Sequence, residues 1–161
     1  MVVVNDYGHG LFTKKIIDIL CLKSNFLAVN AQINAGNKGY NLINKYKRAS
    51  YYCLTLEEAR AAISDKHANI TDIPQQILKI TKGKYTIITL GSKGSIASTN
   101  NKFSFSMPAI TKTTVDTMGA GDAFLSISSP ILYLTKSVEL SSFAGNVAGA
   151  IQVGVEGLRY P

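Results

Sequence analysis

Several residue types that mark particular classes of protein are scarce in this chain. Its 161 residues include no tryptophan, two cysteines and two histidines. Cys21 and Cys53 lie far apart in the sequence, so buried thiols are a simpler interpretation than a disulfide framework. No group of cysteines and histidines has the spacing of a zinc site. The disulfide-rich and zinc-stapled classes are therefore excluded.

Long hydrophobic runs are also missing. No apolar run approaches the roughly 20 residues that a membrane span needs. The first residues lack the basic flank and the long apolar stretch of a signal peptide. Hydrophobic residues make up 46% of the chain and charged residues 17%, which is typical of a globular protein. We therefore expect a cytoplasmic protein without a membrane partner.

Acidic residues are few, and the net charge is +7. The segment 73–115 contains no acid and six lysines: Lys79, Lys82, Lys84, Lys93, Lys102 and Lys112. Such a field favours a polyanionic ligand such as ATP, although a solvated basic surface explains most of these lysines as simply. Basic runs interleaved with aromatic residues are absent, so we expect no nucleic-acid partner.

The order of the predicted elements indicates an α/β fold. Alternating apolar runs predict strands at 1–4, 26–29, 51–54, 85–90, 95–99 and 102–107. Between and after them, helical spacing predicts helices at 12–23, 41–47, 55–64, 72–80, 120–133 and 138–154. Thr55 and Glu58 match a capping box, and Asp72 is predicted to cap the next helix. Strands that alternate with helices imply a parallel sheet, and Asn100-Asn101 predicts a β-hairpin near residue 100.

The chain shows no internal repeat and no linker, so 1–161 is predicted to be a single domain. It opens directly on an apolar strand, which would be an exposed sheet edge. We therefore expect the domain to be partial, a fragment of a longer protein.

One segment carries recognisable chemistry: Asp116-Thr117-Met118-Gly119-Ala120-Gly121-Asp122. The glycines allow a ligand to approach the backbone, and a predicted helix begins immediately afterwards. The first N–H groups of a helix have no partner within it and favour an anion. Asp122, in the first turn, is placed to accept a proton from an attacking hydroxyl. A lone Gly-Ala-Gly-Asp is also typical of an ordinary helix start, but the longer string is more specific.

The string Asp-Thr-x-Gly-Ala-Gly-Asp-Ala-Phe resembles the C-terminal signature of the ribokinase-like (PfkB) carbohydrate kinases. The resemblance implies the C-terminal portion of a ribokinase-like sandwich built on a parallel sheet. It implies that Asp122 is the catalytic base and that Gly119, Ala120 and Gly121 form with it the anion hole for the γ-phosphate. It also assigns Asp116 to a monovalent cation site.

Further segments support the resemblance at the expected order. The segment 87–94 resembles the family's strand and turn beside the nucleotide, where Thr89, Gly91 and Gly94 would approach ATP. Asn146 falls where members place a residue near the adenine, although a helix-packing amide explains it equally well. Glu58 falls in the family's Asn-x-x-Glu motif, which organises Mg²⁺ through water. Thr55 replaces the Asn of that motif, so a plain capping role for Glu58 stays open.

The turn Asp6-Tyr7-Gly8-His9-Gly10 resembles a motif of the heptose-phosphate kinase branch. His9 replaces a lysine there, and Asn30-Ala31-Gln32 replaces Asp-Pro-Lys. Complete members carry a preceding portion with most sugar contacts and a β lid, which we expect to be missing here.

The resemblance thus implies ATP-dependent phosphorylation of a sugar or sugar phosphate, and it is compatible with a homo-oligomer. The alternative is an inactive remnant that binds nucleotide and transfers nothing.

Overall fold

The computed structural model describes residues 1–37, 39–111 and 115–155, so Lys112 of the lysine series lies outside the described residues. Its centre is a six-stranded sheet in which the strands follow one another in chain order. The strands are β1 (Val2–Asp6), β2 (Leu27–Ala31), β3 (Tyr51–Thr55), β4 (Tyr85–Thr89), β5 (Ser95–Thr99) and β6 (Ser104–Met107). Strands β1 to β4 are parallel, as the sequence predicts.

Helices cover both faces of this sheet. They are α1 (Lys14–Lys23), α2 (Leu56–Ile63), α3 (Ile73–Thr81), α4 (Ala120–Thr135) and α5 (Val138–Val153). Successive residues of a strand point to opposite faces. Val29, Leu54 and Ile88 accordingly pack in the core beneath α1, α2 and α3, while their neighbours pack against α4 and α5. Burial on both faces explains why β2, β3 and β4 are continuous apolar runs.

The hairpin predicted near residue 100 is present. Strand β5 is antiparallel to both of its neighbours, β4 and β6, with Ser98 opposite Ser104. The backbone N–H of Thr99 donates to the carbonyl of Phe103 at 2.9 Å and closes the turn. The loop 108–111 follows β6 at this antiparallel end of the sheet and lies near the start of α4.

One local prediction is wrong and a second is met only in part. Asp72 stands at the start of α3, but its backbone is helical (φ −95°, ψ −24°) and its side chain does not cap the helix. A side-chain cap needs extended backbone at that position. The segment 41–47 contains only a 3-10 turn at Ile43–Lys45. The capping box at Thr55 and Glu58 is confirmed, with both reciprocal hydrogen bonds present.

Strand β1 lies at one edge of the sheet. Val3 on this strand is 40% exposed, and Leu11 and Leu22 nearby in the sequence are exposed as well. Within the described residues, no helix combines the length and the apolar character that crossing a bilayer requires.

Candidate active site

The site lies where the parallel strands end and α4 begins. The carboxyl ends of β1 to β4 meet at one edge of the sheet, which is the usual place for ligands in open α/β sheets. Gly119 precedes α4 in the left-handed conformation (φ 75°), and no described side chain caps the helix. The backbone N–H of Ala120 donates to the carbonyl of Thr117 at 3.3 Å, and the next N–H groups of the first turn have no partner within the helix and favour an anion.

Asp122 is held on the first turn of α4 by three side-chain donors. Oδ1 accepts from Asn5 Nδ2 at 2.5 Å and from Gln32 Nε2 at 2.9 Å. Oδ2 accepts from the Tyr7 hydroxyl at 2.9 Å. Burial and the hydrogen bond to Asp122 raise the pKa of Tyr7, so the phenol stays a donor at neutral pH. The predicted base is thus an oriented carboxylate.

These three donors were not among the residues predicted to form the site. The branch resemblance pointed at the turn that contains Tyr7 and at the segment that contains Gln32, but it gave neither a role. His9, the departure in the same turn, is exposed and stacks on Tyr7 with ring centroids 6.2 Å apart. Among the described residues, His9 is not one of the hydrogen-bond donors to Asp122.

An ion pair between half-buried Lys45 and the buried carboxylate of Asp6 anchors the turn that carries Tyr7. Asp6 is 2% exposed. Its carboxylate accepts from Lys45 Nζ at 2.6 Å, from the Tyr46 hydroxyl at 2.7 Å and from the backbone N–H of Gly8 at 2.8 Å. Burial acts to raise the pKa of Asp6, but these hydrogen bonds outweigh it and hold that pKa below its ordinary value. The turn is therefore fixed at its base.

Two cavities of about 450 and 430 Å³ flank the start of α4. They share Thr55, Thr89, Thr117 and Gly121. The first cavity is lined by all four predicted nucleotide residues, Thr89, Gly91, Gly94 and Asn146, together with Ala120. The second is lined by Glu58, Gly119 and Asp122, and by Tyr7 and Gln32. The structure thus brings the predicted residues together on two sides of one helix terminus.

Asn146 serves the packing of α5 as well as lining the first cavity. Its Nδ2 donates to Ser95 Oγ and to the carbonyl of Ser142, each at 2.8 Å. The packing role left open by the sequence is thus present, while the role beside an adenine stays a prediction.

Among the described residues, Asp116 is the one predicted site residue that lines neither cavity. Its Oδ1 accepts from the backbone N–H of Met118 at 2.9 Å, and its own N–H donates to the carbonyl of Val153. It shapes the turn that leads into Gly119.

Glu58 is 8% exposed and lies beside Asn30 of β2. Its Oε2 accepts from the Thr55 N–H at 2.8 Å and from Asn30 Nδ2 at 3.2 Å. Burial raises the pKa of Glu58 although these hydrogen bonds act against it. Asn30 Oδ1 is buried and has no hydrogen-bond partner among the described residues.

The oxygen atoms around Glu58 are suitable ligands for a cation that keeps its water shell. The described residues contain no group of three or more His, Cys, Asp or Glu side chains that could hold a metal directly. Mg²⁺ commonly retains several waters and uses one or two carboxylates. One buried carboxylate and one unpartnered amide oxygen suit that mode of binding.

Comparison with known proteins identifies the family. The model of the pfkB family of carbohydrate kinases matches residues 41–161. The chain belongs to the pfkB family of carbohydrate kinases. The family assignment agrees with the signature around Gly119 and Asp122, and the family is one of phosphotransferases.

Curated relatives of this pfkB chain include the bifunctional protein HldE of Campylobacter fetus, which is 30% identical over 98% of the chain and 34% of the relative. HldE of Histophilus somni is 26% identical over 94% of the chain and 31% of the relative. The chain thus spans about a third of the length of these proteins.

Solved structures share its fold at low identity. Thermotoga maritima ribokinase has a TM-score of 0.77 at 19% identity, over 96% of this chain and 51% of that one. Escherichia coli phosphofructokinase-2 in complex with potassium has a TM-score of 0.76 at 17% identity, over 91% and 47%. The ribokinase-like fold expected from the sequence is confirmed, and the chain covers about half of each solved protein.

Proposed function

We propose that this chain is the nucleotide-binding and catalytic part of a kinase that transfers the γ-phosphoryl group of ATP to a hydroxyl of a sugar or sugar phosphate. One observation carries the proposal. Asp122 lies on the first turn of α4, in the wall of one cavity, and Gly121 beside it lines both cavities. A donor in the first cavity and an acceptor in the second would meet at the helix terminus.

ATP occupies the first cavity in this proposal. Leu56, Leu90 and Ile110 among its lining residues offer apolar surface to a base. Thr89, Gly91 and Gly94 lie at the end of β4, where a backbone can approach phosphates closely. Asn146 stands on α5 at the adenine side. The polyphosphate then points to the N-terminus of α4, whose dipole favours negative charge.

Transfer proceeds by in-line attack. The acceptor hydroxyl gives its proton to Asp122 while its oxygen forms a bond to the γ-phosphorus. The bond from that phosphorus to the bridging oxygen breaks, and its electron pair leaves with ADP. The backbone N–H groups of Gly119, Ala120, Gly121 and Asp122 stabilise the charge on the transferred group.

Cations assist in two places. Mg²⁺ would neutralise phosphate charge, with Glu58 and Asn30 holding its water shell. Asp116, at the turn before α4, is proposed to organise a monovalent cation site. The potassium complex of the similar phosphofructokinase-2 supports a cation role in this fold.

The acceptor and the setting are proposed on the same basis. Similarity to HldE and the turn around Tyr7 make a heptose phosphate the first acceptor to test. We propose a cytoplasmic setting, where ATP and Mg²⁺ are available, and we expect no membrane or nucleic-acid partner. A homo-oligomer is compatible with this assignment, since the similar phosphofructokinase-2 has a tetrameric form. Residues 1–161 form one partial kinase domain in this proposal.

A non-catalytic nucleotide-binding protein is the second candidate. It is favoured by the Thr55 hydroxyl, which is used in the helix cap and stands where the family's metal motif has an amide. Calorimetric titration with Mg-ATP, paired with an ATP-consumption assay over a panel of sugars and sugar phosphates, separates the two. Binding without turnover on any acceptor supports the second candidate.

Asp122→Asn tests the assignment of the base. We expect turnover to fall by about 10³-fold, because a general base contributes roughly 10²–10⁴-fold, while the affinity for Mg-ATP changes little. Asp65→Asn, on an exposed turn, is the matched control. Substantial turnover in Asp122→Asn would refute the assignment.

A further inference from the structure

The two carboxylate oxygens of Asp122 have different surroundings. Oδ1 accepts hydrogen bonds from two amide groups, those of Asn5 and Gln32, whereas Oδ2 accepts one side-chain hydrogen bond among the described residues, from the Tyr7 hydroxyl. A carboxylate that acts as a base must present one oxygen to the acceptor hydroxyl. The difference between the oxygens indicates which one that is.

The donors to Oδ1 are held by the sheet. Asn5 is part of β1, where it is paired with Asn30 of β2. Gln32 follows β2, and its backbone N–H donates to the carbonyl of Asp6 at 2.9 Å. The Gln32 carbonyl accepts from Asn41 Nδ2 at 3.0 Å. Both side chains are half-buried, and Gln32 Nε2 also donates to Asn5 Oδ1 at 3.4 Å, so the two donors support each other.

The donor to Oδ2 is the most exposed of the three, although Asn5 Nδ2 also donates to its hydroxyl at 3.1 Å. The Tyr7 side chain is 41% exposed. Its backbone carbonyl is held separately, by Asn34 Nδ2 at 3.1 Å and Asn37 Nδ2 at 2.9 Å. Rotation of the ring away from Asp122 breaks two side-chain hydrogen bonds, the one to Asp122 and the one from Asn5, while the backbone of the turn stays in place.

We propose that Asn5 and Gln32 are positioning residues that fix Oδ1 of Asp122, and that the Tyr7 hydroxyl occupies on Oδ2 the place that the acceptor hydroxyl takes when it binds. This inference rests on the proposed kinase function. The acceptor O–H replaces the Tyr7 O–H on Oδ2, and Oδ2 receives the proton as the new O–P bond forms. Asn5 and Gln32 keep their own protons and hold the carboxylate in line.

Kinetics with the acceptor varied tests the two roles separately. Gln32→Met keeps the size of the side chain and removes its donor. We expect kcat to fall about 10-fold and the acceptor KM to stay within about 3-fold, because the base loses its orientation and binding does not. Tyr7→Phe removes the hydroxyl that competes with the acceptor. It should lower the acceptor KM by about 3-fold or more and leave kcat within about 2-fold.

Gln75→Met is the matched control. Gln75 is a half-buried glutamine on α3 whose Nε2 donates to the carbonyl of Thr99, outside both cavities. It should leave both constants unchanged. If Tyr7→Phe lowers kcat as much as Gln32→Met does, Tyr7 belongs to the catalytic machinery and its role as a placeholder is refuted.

A second readout does not need turnover. The side-chain amide signals of Gln32 can be assigned in ¹⁵N-labelled protein by their absence from Gln32→Met. They should move in Asp122→Ala and in Asp122→Asn, and should stay in place in Tyr7→Phe. If the Gln32 amide signals shift in neither Asp122 variant, the hydrogen bond from Gln32 to Asp122 is refuted, regardless of the kinetic results.

The two proposals fail in different ways. If the wild-type chain turns over an acceptor but the Gln32→Met and Tyr7→Phe variants do not show separate effects on kcat and KM, the proposed role of Tyr7 is refuted. The proposed kinase function is then unaffected. A wild-type chain that shows the amide pairing but phosphorylates no acceptor refutes the kinase, and the pairing is then structural only.

Discussion

At the scale of single residues, buried charge decides how the site is held. Asp6 lies at the end of β1 with Lys45 and Tyr46 on its carboxylate, directly before Tyr7. Removing one partner of a buried pair leaves the other uncompensated, which is more costly than the loss of an exposed pair. The ion pair at Asp6 should therefore contribute more to the free energy of unfolding than an exposed ion pair does.

Asp6→Asn tests this anchor. We expect a loss of about 2–3 kcal/mol in the free energy of unfolding at pH 7. The folded-state pKa of Asp6 lies below its ordinary value, so its contribution is present at neutral pH and is lost as pH falls below about 4. Wild type should thus lose stability over that range more steeply than Asp6→Asn. Urea unfolding at pH 7 and at pH 3 measures both effects.

The matched control is Asp18→Asn. Asp18 pairs with Lys14 at 2.5 Å, but both side chains are largely exposed. Exposed pairs contribute little, so this variant should stay within about 0.5 kcal/mol of wild type. Equal losses in the two variants would contradict a special role for Asp6.

At the scale of elements, the turn between β4 and β5 shapes the first cavity. Gly94 has φ 94° and ψ −128°, a conformation for which side chains are unsuited. A Cβ added there would lie 2.0 Å from the carbonyl oxygen of Met107 and 2.6 Å from the backbone nitrogen of Ala109. Gly91, three residues before, also has positive φ (59°), but a Cβ there meets nothing within 4 Å.

The two glycines make a matched pair. Gly91→Ala should cost about 1 kcal/mol, the strain of the left-handed conformation alone. Gly94→Ala should cost about 3 kcal/mol or more, because backbone must move as well. Chemical unfolding measures the difference. Similar costs at both positions would show that the approach of Met107 and Ala109 does not constrain the turn.

The elements differ in how far their local sequence predicts them. Strands β2, β3 and β4 are apolar on both faces, and the α2 cap lies within four consecutive residues, so local sequence determined them. Asp72 has the residue type of a cap, but its backbone already follows the helix, which the residue type does not reveal. Asn5, Tyr7 and Gln32 reach Asp122 across 117, 115 and 90 positions, so only the order of the strands brings them together.

At the scale of the whole molecule, the question is whether 1–161 forms a working nucleotide site. The first cavity is built from the ends of β3 and β4, the loop 108–111 and both α4 and α5. A ligand that binds only the folded chain stabilises all of these elements together. Nucleotide binding should therefore appear as stability of the entire domain and not only as a local change.

Mg-ATP should raise the unfolding temperature without any sugar present. At 100 times the dissociation constant the gain is about 2.7 kcal/mol, or about 5–10 °C for a chain of this size. Gly121→Ala probes the route of the phosphates, because a Cβ there meets nothing within 4 Å and points into open space at the junction of the cavities. The variant should unfold like wild type when ligand-free and show less than about half of the Mg-ATP shift, since the methyl group fills the approach to the helix terminus. Gly36→Ala lies outside both cavities and should keep the full shift. A full shift in Gly121→Ala, measured by thermal unfolding at matched Mg-ATP, would place the phosphates elsewhere than at the start of α4.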